Sequence, residues 1–183
     1  MVIWVTGLSA AGKTTLCNAL RDLVKARLPE LVILDGEVVR AAFGHDLGHG
    51  EADRVTQVKR LQSIARVLAD QGLLVVVGVL YAHPDLLAWN RANLPDYFEV
   101  HLKASMATLR ARDPKGLYQA AEAGRMREVV GLDIPWHPPE APDMVVDMDA
   151  GEAPEAIARR LALRIPRLAA ALAPAERRAA TAS

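Results

Sequence analysis

The chain of 183 residues is long enough for one domain, and its 51% hydrophobic residues can fill a single core. Basic and acidic residues balance to a formal net charge of zero, so no general basic field is available to hold a nucleic-acid backbone. Cys17 is the only cysteine, which excludes an internal disulfide and fits a reducing compartment.

Neither a targeting segment nor a membrane span is predicted. Met1 runs directly into an apolar segment, with no charged region or cleavage site before it. The longest apolar stretch, 73–81, is far shorter than the ~20 residues that span a bilayer. We therefore expect a cytoplasmic protein that binds neither nucleic acid nor a membrane.

Five apolar segments rich in β-branched residues predict buried strands. The first leads directly into a glycine-rich segment, and the second ends at Asp35. The predicted strands are 2–6, 31–34, 73–80, 98–102 and 144–147.

Helical spacing of apolar residues separates these strands. In the longest helix, Val58, Leu61 and Ala65 share one face, and Gly72 follows as a C-cap. Ser105 is a predicted N-cap, and Pro166 interrupts the last helix. The first predicted helix begins at Thr14, and the other four are 53–70, 84–93, 105–112 and 152–165.

Alternating strands and helices predict an α/β fold with a mainly parallel five-stranded sheet in three α/β/α layers. Ligands of such sheets bind at the carboxyl ends of the strands, where Gly7 and Asp35 stand. We expect one domain over 1–173 and a frayed tail, rich in alanine and arginine, over 174–183.

The segment from Gly7 to Thr14 has the pattern G-x-x-x-x-G-K-[ST], which is a complete phosphate-binding loop of the P-loop NTPase type. Its backbone N–H groups and the following helix N-terminus attract phosphates. Lys13 would neutralise the β- and γ-phosphates of ATP, and the Thr14 hydroxyl would bind Mg²⁺. The predicted nucleotide-binding residues are Gly7, Ser9, Ala10, Ala11, Gly12, Lys13, Thr14 and Thr15.

Phosphoryl transfer also needs a carboxylate near the metal or the attacking hydroxyl. Asp35-Gly36-Glu37 leaves the second strand at the right end of the sheet. Asp-Gly is also common in solvated turns, so the local sequence alone leaves both interpretations open.

The chain resembles the adenylylsulfate (APS) kinase family from Val2 to about Asp147. The matching segments are the phosphate loop, 35–40, Asp53-Arg54, 112–118, 131–133 and 135–142, of which Arg112-Asp113-Pro114-Lys115-Gly116-Leu117-Tyr118 is the most specific. Members transfer the γ-phosphate of ATP, with Mg²⁺, to the ribose 3′-hydroxyl of APS, giving PAPS.

The resemblance implies roles for individual residues. Asp35 becomes the catalytic carboxylate and a metal ligand beside Thr14, with Glu37 where the family usually has a second aspartate. Arg40 and Arg54 would hold the anionic part of the acceptor, although both are also readable as solvated helix charges. The lid residues Arg112 and Lys115 would close on the phosphates and exclude water, with Lys115 assisting catalysis beside Lys13.

The departures from the family lie on the acceptor side. Where the family has two phenylalanines against the adenine, this chain has His49 and Val129. Base stacking on a ring contributes about 1–3 kcal/mol, so loss of two rings should weaken purine recognition. Gln57, Tyr81 and Leu132 complete the predicted acceptor site.

These departures favour slightly an acceptor other than APS, namely cytidine diphosphoramidate, used in capsule and surface-polysaccharide modification. An authentic APS kinase is the nearly equal alternative. A nucleotide-binding regulator or inactive pseudokinase is a third hypothesis, disfavoured because Asp35 and Lys115 are both present. A homodimer is left open.

Overall fold

The computed structural model describes residues 1–173. The predicted frayed tail, 174–183, lies outside the described residues. Within 1–173, no helix combines the length and apolar character needed to cross a membrane.

Five strands form one sheet in the order β2-β3-β1-β4-β5, and every neighbouring pair is parallel. The central strands are apolar and buried along their length, because helices cover both faces of the sheet. This confirms the predicted α/β class. The strands are β1 (Val2–Thr6), β2 (Leu31–Asp35), β3 (Leu74–Val79), β4 (Tyr97–Lys103) and β5 (Met144–Asp147).

The helices pack in two groups. In one group, α1, α7 and α8 contact one another; in the other, α3 contacts α2 and α4. The helices are α1 (Lys13–Val24), α2 (Gly36–Ala42), α3 (Glu51–Asp70), α4 (Pro84–Asn93), α5 (Met106–Arg112), α6 (Leu117–Glu122), α7 (Pro154–Arg164) and α8 (Pro166–Leu172), with a 3₁₀ turn at Met148–Ala150.

Three of these helices were not predicted from the sequence. The Asp35 carboxylate accepts hydrogen bonds from the backbone N–H groups of Glu37 and Val38, so α2 begins where the sequence suggested only a turn. Pro166 was predicted to interrupt the last helix, and it does so by starting α8, since proline fits the first helical turn. The third, α6, is too short to show apolar periodicity.

Candidate active site

The phosphate loop joins β1 to α1 with a backbone that depends on two glycines. A Cβ atom at Gly7 would lie 2.8 Å from the carbonyl oxygen of Leu102 on the neighbouring strand, too close for any side chain. Gly12 has φ +97°, a left-handed conformation that favours glycine, and it precedes the first turn of α1. The loop therefore leaves room for a ligand's phosphates to approach its backbone.

Lys13 reaches back over this loop. Its ammonium donates hydrogen bonds to the carbonyl oxygens of Gly7 and Leu8, both at 2.8 Å. Burial lowers the pKa of Lys13 to about 8, although Glu37 and Asp35 act in the opposite direction. The charged ammonium is thus poorly stabilised by the protein alone, and an anionic phosphate would stabilise it.

Asp35 lies beside the loop at the carboxyl end of β2. One oxygen of its carboxylate caps α2, and the other accepts a hydrogen bond of 2.6 Å from the Thr14 hydroxyl. A hydroxyl and a carboxylate oxygen are both ligands that Mg²⁺ prefers. Thr14 and Asp35 therefore fit the metal that the motif predicts, and the open glycine loop fits the nucleotide.

The predicted lid segment, residues 112–118, borders the cavity, and five of its residues line it: Arg112, Asp113, Pro114, Lys115 and Leu117. Arg112 donates to the carbonyl oxygen of Met148, and Lys115 forms an ion pair with Glu37 across the cavity. Lys115 was predicted to close on phosphates. The structure places it in the cavity but paired with a carboxylate.

Two arginines line the part of the cavity beyond Asp35. Arg40 donates to the carbonyl oxygens of Leu47 and Gly48, at 3.0 and 2.7 Å. Arg54 is only 9% exposed, and its Nη2 donates to the carbonyl oxygen of Glu128 at 2.7 Å. Burial, and then the Arg40 charge, lowers the pKa of Arg54.

The Nε atom of Arg54 is buried with no hydrogen-bond partner among the described residues. An unsatisfied buried donor on a charged group costs about 1–3 kcal/mol or more. Two neighbouring guanidinium groups, one of them with an unused donor, make this part of the cavity a site for an anion. Both are therefore more than solvated helix charges.

His49, Gln57 and Tyr81, which were predicted to contact the acceptor, also line the cavity. Burial, then the Arg40 and Arg54 charges, lowers the pKa of His49, so its imidazole favours the neutral form. The Tyr81 hydroxyl donates to Glu51 at 2.6 Å.

Gln57, which was predicted to contact the acceptor, lines the cavity and is also hydrogen-bonded within the protein. Its amide nitrogen donates to the carbonyl oxygen of Gly36, and its amide oxygen accepts from Arg60. Both ends of the amide are used within the protein. Gln57 therefore holds the start of α2 in place beneath the cavity.

Two predicted acceptor contacts do not reach the cavity. Val129 is buried, with 2% of its surface exposed, and lies in the hydrophobic core, while Leu132 is 40% exposed and is not part of the cavity lining. The reason is a tight turn in which Asp133 accepts backbone hydrogen bonds from Glu128 and Val129. Within the loop, Gly7 and Ala11 are also buried beneath the surface of the cavity.

One cavity of about 840 Å³ is lined by Lys13 and Thr14 of the phosphate loop, by Asp35 and Glu37, by Arg40 and Arg54, and by Arg112 and Lys115. Sequence reasoning missed several of its walls, including His45, Met126, Met148 and Ile157. Met148 could have been found from the sequence, because it follows β5 and the carboxyl ends of strands carry ligand sites in such sheets. Met126 and His45 lie in irregular segments and gave no periodic signal.

A glycine loop, a lysine and a carboxylate at the carboxyl ends of the strands of a parallel sheet define a P-loop kinase. The family profile described as adenylylsulphate kinase matches residues 1–147. The chain therefore belongs to the adenylylsulphate kinase family. It is an ATP-dependent phosphotransferase that acts on an alcohol group and uses ATP with Mg²⁺.

Individual relatives agree with this assignment. The chain is 39% identical to an adenylyl-sulfate kinase of Pseudomonas entomophila over 147 residues, covering 79% of this chain and 71% of the relative. It is 39% identical to one of Deinococcus deserti over 148 residues, covering 81% and 82%. The solved Mycobacterium tuberculosis APS kinase, in complex with AMPPNP and APS, superposes with a TM-score of 0.79 at 31% identity, covering 87% of this chain and 94% of that one.

The lowered pKa of Lys13 predicts that ATP binding depends on pH. Phosphates raise the pKa of a neighbouring ammonium, so binding takes up a proton when the free lysine is neutral. Below about pH 8 Lys13 is already charged and affinity is constant. Above it, affinity should fall by up to about tenfold per pH unit until the pKa of the bound state is reached.

Isothermal titration calorimetry with ATP and Mg²⁺ from pH 7 to 9.5, in buffers of different ionisation enthalpy, measures both the affinity and the proton uptake. Lys13→Arg is the matched control, because arginine stays charged over this range. An equal pH dependence in wild type and Lys13→Arg would contradict the prediction.

Proposed function

We propose that the enzyme transfers the γ-phosphate of ATP to the ribose 3′-hydroxyl of adenylylsulfate, giving PAPS. The observation that carries this proposal is the anion site formed by Arg40 and Arg54, in the same cavity as the phosphate loop. A sulfated nucleotide presents an anionic group to such a pair. The relatives described above, which are named for adenylyl-sulfate, support the same acceptor.

The residues of the chain divide the work between donor and acceptor. Lys13 and the loop backbone bind the phosphates of the donor, and Thr14 with Asp35 would hold Mg²⁺, which neutralises charge on the phosphates. Arg40 and Arg54 orient the acceptor by its anionic end, and the lid limits water access. Asp35 accepts the proton of the attacking hydroxyl.

Cytidine diphosphoramidate, which the departures in sequence slightly favoured, becomes the second candidate. The comparisons reported above give it no support. One observation retains it: among the described residues that line the cavity, the aromatic rings are Tyr81 and the imidazoles of His45 and His49. A purine therefore finds no phenylalanine there on which to stack.

The regulator and pseudokinase hypotheses are not supported, because the chain belongs to an enzyme family and both Asp35 and Lys115 line the cavity. A homodimer and a cytoplasmic location stay predictions.

The acceptor test supplies ATP and Mg²⁺ with either APS or cytidine diphosphoramidate and measures ADP release by a coupled assay. We expect kcat/KM for APS to exceed that for the cytidine compound by more than about tenfold, a difference of about 1.4 kcal/mol in transition-state binding. Product analysis should locate the new phosphate at the 3′-hydroxyl. The reverse preference would replace our acceptor with the cytidine nucleotide.

Asp35→Asn should abolish most of the activity while the fold is kept. Asparagine remains a good N-cap for α2, whereas it cannot accept the proton of the attacking hydroxyl. We expect kcat to fall by about 10²–10⁴, with ATP binding changed only severalfold.

Asp85→Asn is the control for this substitution. Its carboxylate is on the surface, with 92% of the side chain exposed, and lies outside the cavity. Full turnover by Asp35→Asn would remove Asp35 from the catalytic role.

Arg54→Met should raise the KM for the acceptor and leave the affinity for ATP unchanged. A hydrogen bond to a charged group contributes about 1.5–3 kcal/mol, so the expected rise is about 10- to 100-fold. Methionine fills much of the volume and removes the buried charge, so the fold should persist.

Arg66→Met is the matched control, because Arg66 lies on the same helix and pairs with Asp70 at the surface. Initial-rate kinetics with each substrate varied in turn separates the two KM values. An unchanged acceptor KM in Arg54→Met would mean that the anion binds elsewhere.

A further inference from the structure

The lid segment, residues 112–118, contacts both Glu37 and the phosphate loop. Lys115 pairs with Glu37 on one side of the cavity. Three residues later, Tyr118 is buried, with only 1% of its surface exposed, and is not part of the cavity lining. Its hydroxyl donates to the carbonyl oxygen of Ser9 in the phosphate loop at 3.1 Å.

Asp113 fixes the direction in which Tyr118 points. Its carboxylate accepts hydrogen bonds from three successive backbone N–H groups at the start of α6, those of Leu117 at 2.8 Å, Tyr118 at 2.9 Å and Gln119 at 3.1 Å. These bonds satisfy donors that a helix N-terminus leaves free. The backbone of Tyr118 is therefore held by the side chain of another residue in the same segment.

The contact falls on the least regular part of the loop. Ser9 is followed by Ala10, which has φ +62°, and two residues further on by Gly12 at φ +97°. A left-handed alanine costs roughly 1–2 kcal/mol, so the surrounding contacts must hold this backbone in place. The hydroxyl of Tyr118 is one of those contacts.

We propose that Tyr118 is a positioning residue that couples the lid to the phosphate loop, so that ATP affinity depends on its hydroxyl. Tyr118 does not line the cavity, so it acts through Ser9 and the loop backbone. The bond holds the loop in the conformation that presents its N–H groups to the phosphates. This inference rests on ATP as the donor and is independent of which nucleotide is the acceptor.

The test is Tyr118→Phe, which keeps the buried ring and removes only the hydroxyl. We expect the Kd for ATP with Mg²⁺, measured by calorimetry without any acceptor, to rise about fivefold, the factor that one ordinary hydrogen bond contributes. The value of kcat at saturating ATP should change less than about twofold, since the bond shapes the loop before the reaction.

Tyr97→Phe is the matched control. The Tyr97 hydroxyl is also hydrogen-bonded inside the protein, to Asn90 at 3.2 Å and Glu99 at 3.0 Å, and it lies outside the active-site cavity. This variant should lower the melting temperature to a similar extent without changing the Kd for ATP.

Two results would overturn the proposal: an unchanged Kd for ATP in a folded Tyr118→Phe, or an equal rise in Tyr97→Phe. Because no acceptor is present, neither result bears on adenylylsulfate as the substrate. Conversely, an enzyme that prefers the cytidine nucleotide should still show the loss of ATP affinity.

Discussion

The hydrogen bond from the Thr14 hydroxyl to Asp35 joins the two segments on which the active site depends. Thr14 lies in the first turn of α1, directly after the loop that follows β1, and Asp35 ends β2, with β3 lying between these strands. Gly78 of β3 pairs with Asp35, and a Cβ atom there would lie in ordinary van der Waals contact with Cys17 and Lys13 on α1, at 3.5 and 4.0 Å.

The active site concentrates positive charge at a cost to the protein. Burial lowers the pKa of both Lys13 and Arg54, which means that each charged group is less stable in the protein than in water. Anionic substrates offset this cost when they bind. Sites of this kind are retained because the same desolvation that destabilises the free enzyme strengthens its electrostatic contacts with phosphate and sulfate.

The sequence predicted the sheet well because its signal is local: uninterrupted apolar runs mark strands covered on both faces. It failed where a helix is defined by one capping contact, as at Asp35, and where a chain turn redirects side chains, as at Val129. Gln57 lines the cavity, but only the packed structure shows that its amide is hydrogen-bonded to Gly36 and Arg60.

By itself the sequence determined the phosphate loop and the position of Asp35 at the end of a strand, because glycine spacing and strand ends are properties of short segments. The tertiary structure decided which distant residues meet them. The Nη2 atom of Arg54 donates to the carbonyl oxygen of Glu128, far along the chain, and the carbonyl oxygen of Ser9 accepts from the Tyr118 hydroxyl. Such pairings follow from strand order and lid placement, for which no local pattern in the chain is sufficient.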